Sequence, residues 1–172
     1  DMCVGFYYAL LGETQQLPTW LTSWQADDAV VLYPARPCRN FIAAQCLLAQ
    51  GRYTELLVRY DDLLAECRPY NNFLCQLYLL VQKACAFAGL GEQAKAQAAL
   101  LRALELAAPD SLVLPFAQNI SLLEPLLTKE LAGEQRELVE KILALGARFA
   151  AGRKRLCVTG EDKGLLAELT EQ

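Results

Sequence analysis

Histidine is absent from all 172 residues of this chain. That removes Ser-His and Cys-His nucleophilic machinery, and with it the common zinc spacings that pair cysteine with histidine. No Cys-x-x-Cys pair occurs, and no G-x-x-x-x-G-K-[ST] loop is available to hold a nucleotide. No apolar run reaches the ~18 residues that cross a bilayer. The opening Asp1-Met2-Cys3-Val4 lacks the basic region of a signal peptide. A net charge of −4 offers no general attraction to DNA or to acidic membranes. No enzyme activity, catalytic residue, metal or cofactor is expected, and no membrane association.

What is present is apolar. Hydrophobic residues make up 54% of the chain, and a domain of this size buries about 70% of its unfolded-chain surface. Seven cysteines are present: Cys3, Cys38, Cys46, Cys67, Cys75, Cys85 and Cys157. The count is odd, and Cys67 and Cys85 fall on apolar helical stripes. They read as reduced core thiols of a cytoplasmic protein. Helix-like spacing begins at Met2, so a fragment of a longer protein is expected.

Gly12, Gly51 and Gly91 each close an apolar helical stretch and precede another, at spacings of 39 and 40 residues. Such a period marks a stack of helical hairpins, an architecture that usually binds partners. The first helix is predicted from about Met2 to Leu11. Pro18 suits the first turn of the next, with Trp20, Leu21 and Trp24 on one side. A connection follows through Asp27-Asp28, Val30 to Tyr33, Pro34 and Pro37. Phe41 to Leu48 precede the second turn, and Leu56, Tyr60, Leu63 and Cys67 follow it at helical spacing. Phe73 to Ala88 is apolar almost all round, which suits a helix covered on both sides. Ala96, Leu100, Ala103, Leu104 and Ala107 form its partner stripe. Beyond Pro109 the repeat is expected to break. Leu112 to Phe116 reads as a connection, and Ser121 with Glu124 as a capping box opening a helix through Leu123, Leu127 and Leu131. Past Gly133, a last helix carries Leu138, Ile142, Leu145 and Phe149, ending at Gly152.

Several motifs have plain readings. Gly89-Leu90-Gly91-Glu92-Gln93-Ala94 matches a dinucleotide fingerprint, but a long helix precedes it instead of a strand, so it reads as a hairpin turn. Asn119-Ile120-Ser121 is a chance glycosylation sequon. The acidic pairs Asp27-Asp28, Asp61-Asp62 and Glu161-Asp162 read as solvated surface. Arg148, Arg153, Lys154 and Arg155 suit a helix end favoured by its dipole, or a contact with nucleic acid or a neighbouring domain. Tyr7, Tyr8, Trp20, Trp24, Tyr33, Tyr70 and Tyr78 are core aromatics or the lining of a groove.

Gly51-Arg52-Tyr53 followed by Leu56, Tyr60 and Leu63-Leu64 resembles a tetratricopeptide repeat, as does Gly91-Glu92 with Ala96, Leu100 and Ala103 to Leu106. The standard repeat is 34 residues long. A longer one occurs in the MalT-like members of the LuxR family of transcriptional activators. Ala99 to Asp110, Leu114-Pro115-Phe116 and Leu122 to Leu127 resemble that family's last repeat and its exit. Leu165 to Glu171 is similar to the run entering its DNA-binding helix-turn-helix.

The resemblance implies an all-α superhelical stack of antiparallel helix hairpins over residues 1–152, with 153–172 as a tail or linker toward a DNA-binding domain absent from this chain. It implies the sensor or effector-binding arm of a transcription regulator, with a small-molecule inducer or protein partner in the concave groove. Self-association is a further implied outcome, and DNA would be bound only through the missing domain. A free-standing protein-interaction scaffold is the alternative. In such a stack the first helix of each hairpin lines the concave face. Aligning the glycines puts Phe6, Gln45 and Cys85 at one equivalent position, with Tyr78 and Gln82 earlier on the same helix as Cys85. Gln45 and Gln82 are polar within apolar helices. A wet groove would relieve the cost of burying them, and so would hydrogen bonds to helix-end carbonyls within a core.

Overall fold

A computed structural model describes residues 2–23, 35–70, 72–128 and 133–156. In it each period-marking glycine lies just past a helix in the left-handed conformation, with φ of +80°, +70° and +76° at Gly12, Gly51 and Gly91. Two backbone hydrogen bonds close each helix end in the same way. At the second turn the Gly51 amide donates to the Leu48 carbonyl and the Arg52 amide to that of Leu47. At the third, the Gly91 amide donates to Ala88 and the Glu92 amide to Phe87. This paired bonding satisfies carbonyls left over at a helix end, and only glycine reaches that φ without a penalty of about 1–2 kcal/mol.

The described residues are helical, with no strand among them. The helices are α1 (Met2–Leu11), α2 (Thr19–Ser23), α3 (Arg36–Ala49), α4 (Tyr53–Cys67), α5 (Phe73–Gly89), α6 (Gln93–Ala107), α7 (Leu114–Gln118), α8 (Ile120–Leu123) and α9 (Arg136–Leu156). As its all-round apolar pattern predicts, α5 is central. It packs most extensively on α6, and also touches α3, α4, α7 and α8. Leu77, Leu79 and Val81 of α5 share one core with Leu56 of α4, Leu100 and Leu104 of α6, and Phe116 of α7. A smaller cluster joins α1, α2 and α3 through Ala9, Leu21, Ile42 and Cys46, with Trp20 packed against it. Asn40, buried on α3, donates to the Leu63 carbonyl (3.4 Å) and the Glu66 carboxylate (2.9 Å) of α4, pinning that pair of helices.

Beyond Pro109 the long helices give way to short ones, because Pro115 opens α7 and Pro125 opens a 3-10 turn at Glu124–Leu126. Gly133, 42 residues after Gly91, again has a positive φ (+43°), and α9 beyond it packs on α7 and α8. Two expectations are corrected here. Ser121 caps nothing: it lies inside α8, with Asn119 at the N-cap position and no side-chain cap bond formed. And α9 continues through Gly152 to Leu156. Arg153, Lys154 and Arg155 in its last turn complement the helix dipole and offset the roughly 1 kcal/mol cost of an internal glycine. Trp24, Asp27-Asp28, Val30 to Tyr33, Pro34, Leu131, Cys157, Glu161-Asp162 and the Leu165 to Glu171 run lie outside the described residues.

Close approach sets how α9 seats. A Cβ on Gly146 would sit 2.5 Å from Ile120 Cγ1 and 2.9 Å from Ile120 Cβ, atoms next to the α8 backbone that cannot easily give way. Gly152 has open space around it. Gly146→Ala should therefore destabilise the fold by about 1–3 kcal/mol, lowering Tm by about 2–10 °C. Gly152→Ala should hold or raise Tm. Thermal melts of the two variants check both signs, and equal effects would contradict this account of the interface.

Candidate functional site

The helices that precede the three period-marking glycines, α1, α3 and α5, bring one aromatic residue each to a common place. Phe6 meets Phe41 edge-on at 5.5 Å between centroids and Tyr78 edge-on at 6.1 Å. Phe41 and Tyr78 stack at 4.5 Å with their planes 19° apart. Offset and edge-to-face contacts of this kind add about 0.5–1.5 kcal/mol each beyond area burial. Phe6 and Phe41 are half-buried, Tyr78 is buried, and Tyr7 beside them is 65% exposed. The Tyr78 hydroxyl donates to Gln118 Oε1 at the end of α7 (2.9 Å). Removal from water pushes its pKa up to about 12, so it remains a donor.

Beneath the rings runs a relay of buried amides. Gln82 Nε2 donates to the Phe41 carbonyl (2.9 Å) and to Gln45 Oε1 (3.0 Å). Gln45 Nε2 donates to Asn119 Oδ1 (2.9 Å), and Asn119 Nδ2 donates to the Pro115 carbonyl (2.9 Å). Helices α5 and α3 and the α7–α8 junction are thereby tied together through side chains. Gln82 Oε1 has no hydrogen-bond partner among the described residues. Asn119, the residue of the apparent sequon, is buried within this relay.

Phe6, Gln45, Tyr78 and Gln82 thus meet in one assembly. Cys85 does not join it, and its thiol is sealed in the main core. Gln82 is fully buried and Gln45 nearly so, and their amides bond to side chains and to the Phe41 carbonyl; Gln45 and Asn119 also line a space that opens beside the relay. Phe41, Gln118 and Asn119 were missed as members. Gln118-Asn119 interrupts an apolar stretch much as Gln45 and Gln82 do, and that was the available signal.

Two adjoining spaces open beside the relay. One of about 550 Å³ is lined by Leu11, Gln118, Ile120, Ser121, Phe149 and Ala150, with Arg153 and Lys154. The other, about 240 Å³, shares Gln118, Ser121 and Arg153 with it. Arg153 Nη1 also donates to the Leu10 carbonyl at 3.5 Å, joining α9 to the end of α1. Among the described residues no group of three or more His, Cys, Asp or Glu is arranged to hold a metal. No helix among them is long and apolar enough to cross a membrane.

The thiols are chemically quiet. Burial pushes the Cys46 pKa to about 12 and, helped by Glu66, that of Cys67 to about 11. It raises those of Cys75 and Cys85 further. Cys38 Sγ lies 4.0 Å from Cys75 Sγ. No protein-family model, curated protein or solved structure matches the chain.

Two outcomes follow from this geometry. Gln82→Ala strands the Phe41 carbonyl and Gln45 Oε1 and leaves a void, so it should cost about 2–4 kcal/mol, read as a loss of denaturant midpoint. An unchanged midpoint would disprove the relay's structural role. With a thiol-alkylating reagent at about pH 8, Cys3 should label rapidly, because thiolate and access are both required. Cys46, Cys67, Cys75 and Cys85 should label only on unfolding, as followed by peptide mass spectrometry.

Proposed function

We propose that this chain is the sensor arm of a LuxR-type transcriptional regulator, a helical-repeat module whose occupancy by an effector alters the activity of linked domains. The observation that carries the reading is the aromatic cluster over the amide relay. Phe6 packs on Phe41 and beside exposed Tyr7, and Phe41 is tied through its carbonyl to side-chain bonds that join α3, α5 and the α7–α8 junction. An effector touching those rings bears on the packing of several helices at once. One that prefers one arrangement shifts the population toward it by no more than its differential affinity. The resemblance of residues 94–131 to the last repeat of such activators supplies the regulatory context. The acidic balance of the chain leaves DNA contact to a separate module.

Extending the reading frame past Gln172 tests the context: helix-turn-helix codons support a regulator, and their absence leaves a free-standing interaction scaffold. The module itself is tested in the host by Tyr7→Ala and Phe41→Ala in the intact protein. Tyr7→Ala should change transcript levels of the regulated genes severalfold with no loss of melting temperature. Phe41→Ala should do so with a moderate loss. Transcript profiles unaltered by deletion of the whole gene would overturn the proposal.

A further inference from the structure

The larger space beside the relay has its own chemistry, independent of the regulatory reading above. Its walls come from three parts of the chain: the end of α1, the α7–α8 junction, and the last turns of α9. Leu11, Ile120 and Phe149 supply apolar lining. The polar groups are Gln118, Ser121, Arg153 and Lys154. Gln118 Oε1 accepts the Tyr78 hydroxyl, and the N–H donors of this amide are available to a ligand. Ser121 offers a hydroxyl, and Arg153 and Lys154 carry two positive charges. Among the described residues no Asp or Glu lines either of the two adjoining spaces. The site therefore combines donors and cations with apolar lining, and none of the described residues brings a carboxylate to compete. Its volume, about 550 Å³, falls in the range of small-molecule pockets.

We propose that this cleft binds a small amphipathic anion, a carboxylate with an aliphatic body, whose head lies against Arg153 and Lys154 and whose chain lies along Leu11, Ile120 and Phe149. Two features separate this ligand from its neighbours in chemical space. An inorganic anion would leave the apolar wall in contact with water, and a neutral alcohol would leave both cations without a counter-charge. A carboxylate on an alkyl chain answers both halves of the cleft. Because Arg153 also reaches the Leu10 carbonyl, a bound head group sits where α9 meets α1.

The experiment uses the 172-residue chain with octanoate as the probe, and octan-1-ol and inorganic phosphate as comparison arms, in isothermal titration calorimetry. Octanoate should bind, more weakly as salt is added, and at least about tenfold more tightly than either comparison ligand. Arg153→Gln with Lys154→Gln should weaken octanoate by about tenfold or more while leaving octan-1-ol unchanged. Ala150→Trp, at an exposed position on the wall, should block octanoate without loss of melting temperature. This second variant decides the matter if removal of Arg153 loosens α9. Absence of binding at millimolar octanoate, equal affinity for octan-1-ol, or octanoate binding that survives Ala150→Trp would each overturn the proposal. Equal affinity for phosphate would show a plain anion site and would overturn the amphipathic ligand.

Discussion

An amide removed from water costs several kcal/mol unless its donors and acceptors are matched, and this chain links three of its buried amides, Gln45 on α3, Gln82 on α5 and Asn119 at the α7–α8 junction. The arrangement around them follows from that constraint. Gln82 reaches Gln45, Gln45 reaches Asn119, and Asn119 closes on the Pro115 carbonyl. The first two bonds fix one element relative to another, where apolar contact alone would permit sliding, and the third anchors the Asn119 side chain to its own α7. The aromatic trio rests on this frame, since the carbonyl that receives Gln82 belongs to Phe41 itself. Where α7 and α8 separate, the backbone break at Asn119 is also the point at which its side chain enters the relay.

The two halves of the molecule use opposite strategies. From α1 to α6, glycine turns repeat one geometry, each bonding the last carbonyls of its helix in the same way, and two of them join packed pairs, α3 with α4 and α5 with α6. From α7 onward, prolines at 115 and 125 cut the unit into short segments. Short helices have little stability of their own. These are held by packing, with Phe116, Leu123 and Leu126 fully buried and Gly146 admitting Ile120 against α9. The region with the weakest local signals therefore depends most on tertiary contact.

Legibility in the sequence divides along the same line. Helix limits near Gly12, Gly51 and Gly91 could be read closely, because positive φ, apolar stripes and turn chemistry agreed there. The Ser121-Glu124 pattern misled, since a capping box is a local preference and Pro125 overrode it. At the candidate site, alignment of the turns brought Phe6, Gln45, Tyr78 and Gln82 into one neighbourhood. It could not show what the Gln45 amide bonds to, because that partner, Asn119, lies 74 positions away. Cys85 was misplaced for a related reason. Equivalence along the chain says which side a residue faces only if every hairpin meets the same neighbours, and α5 has cover on all sides.

The bond between Arg153 and the Leu10 carbonyl spans 143 positions. An ordinary solenoid has contacts only between adjacent units, so its stability is a sum of local terms and one end can fray while the other persists. Here the last described helix reaches back to the first. Such a closed circuit couples distant segments and raises the mean separation of contacting residues, which slows folding relative to an open array.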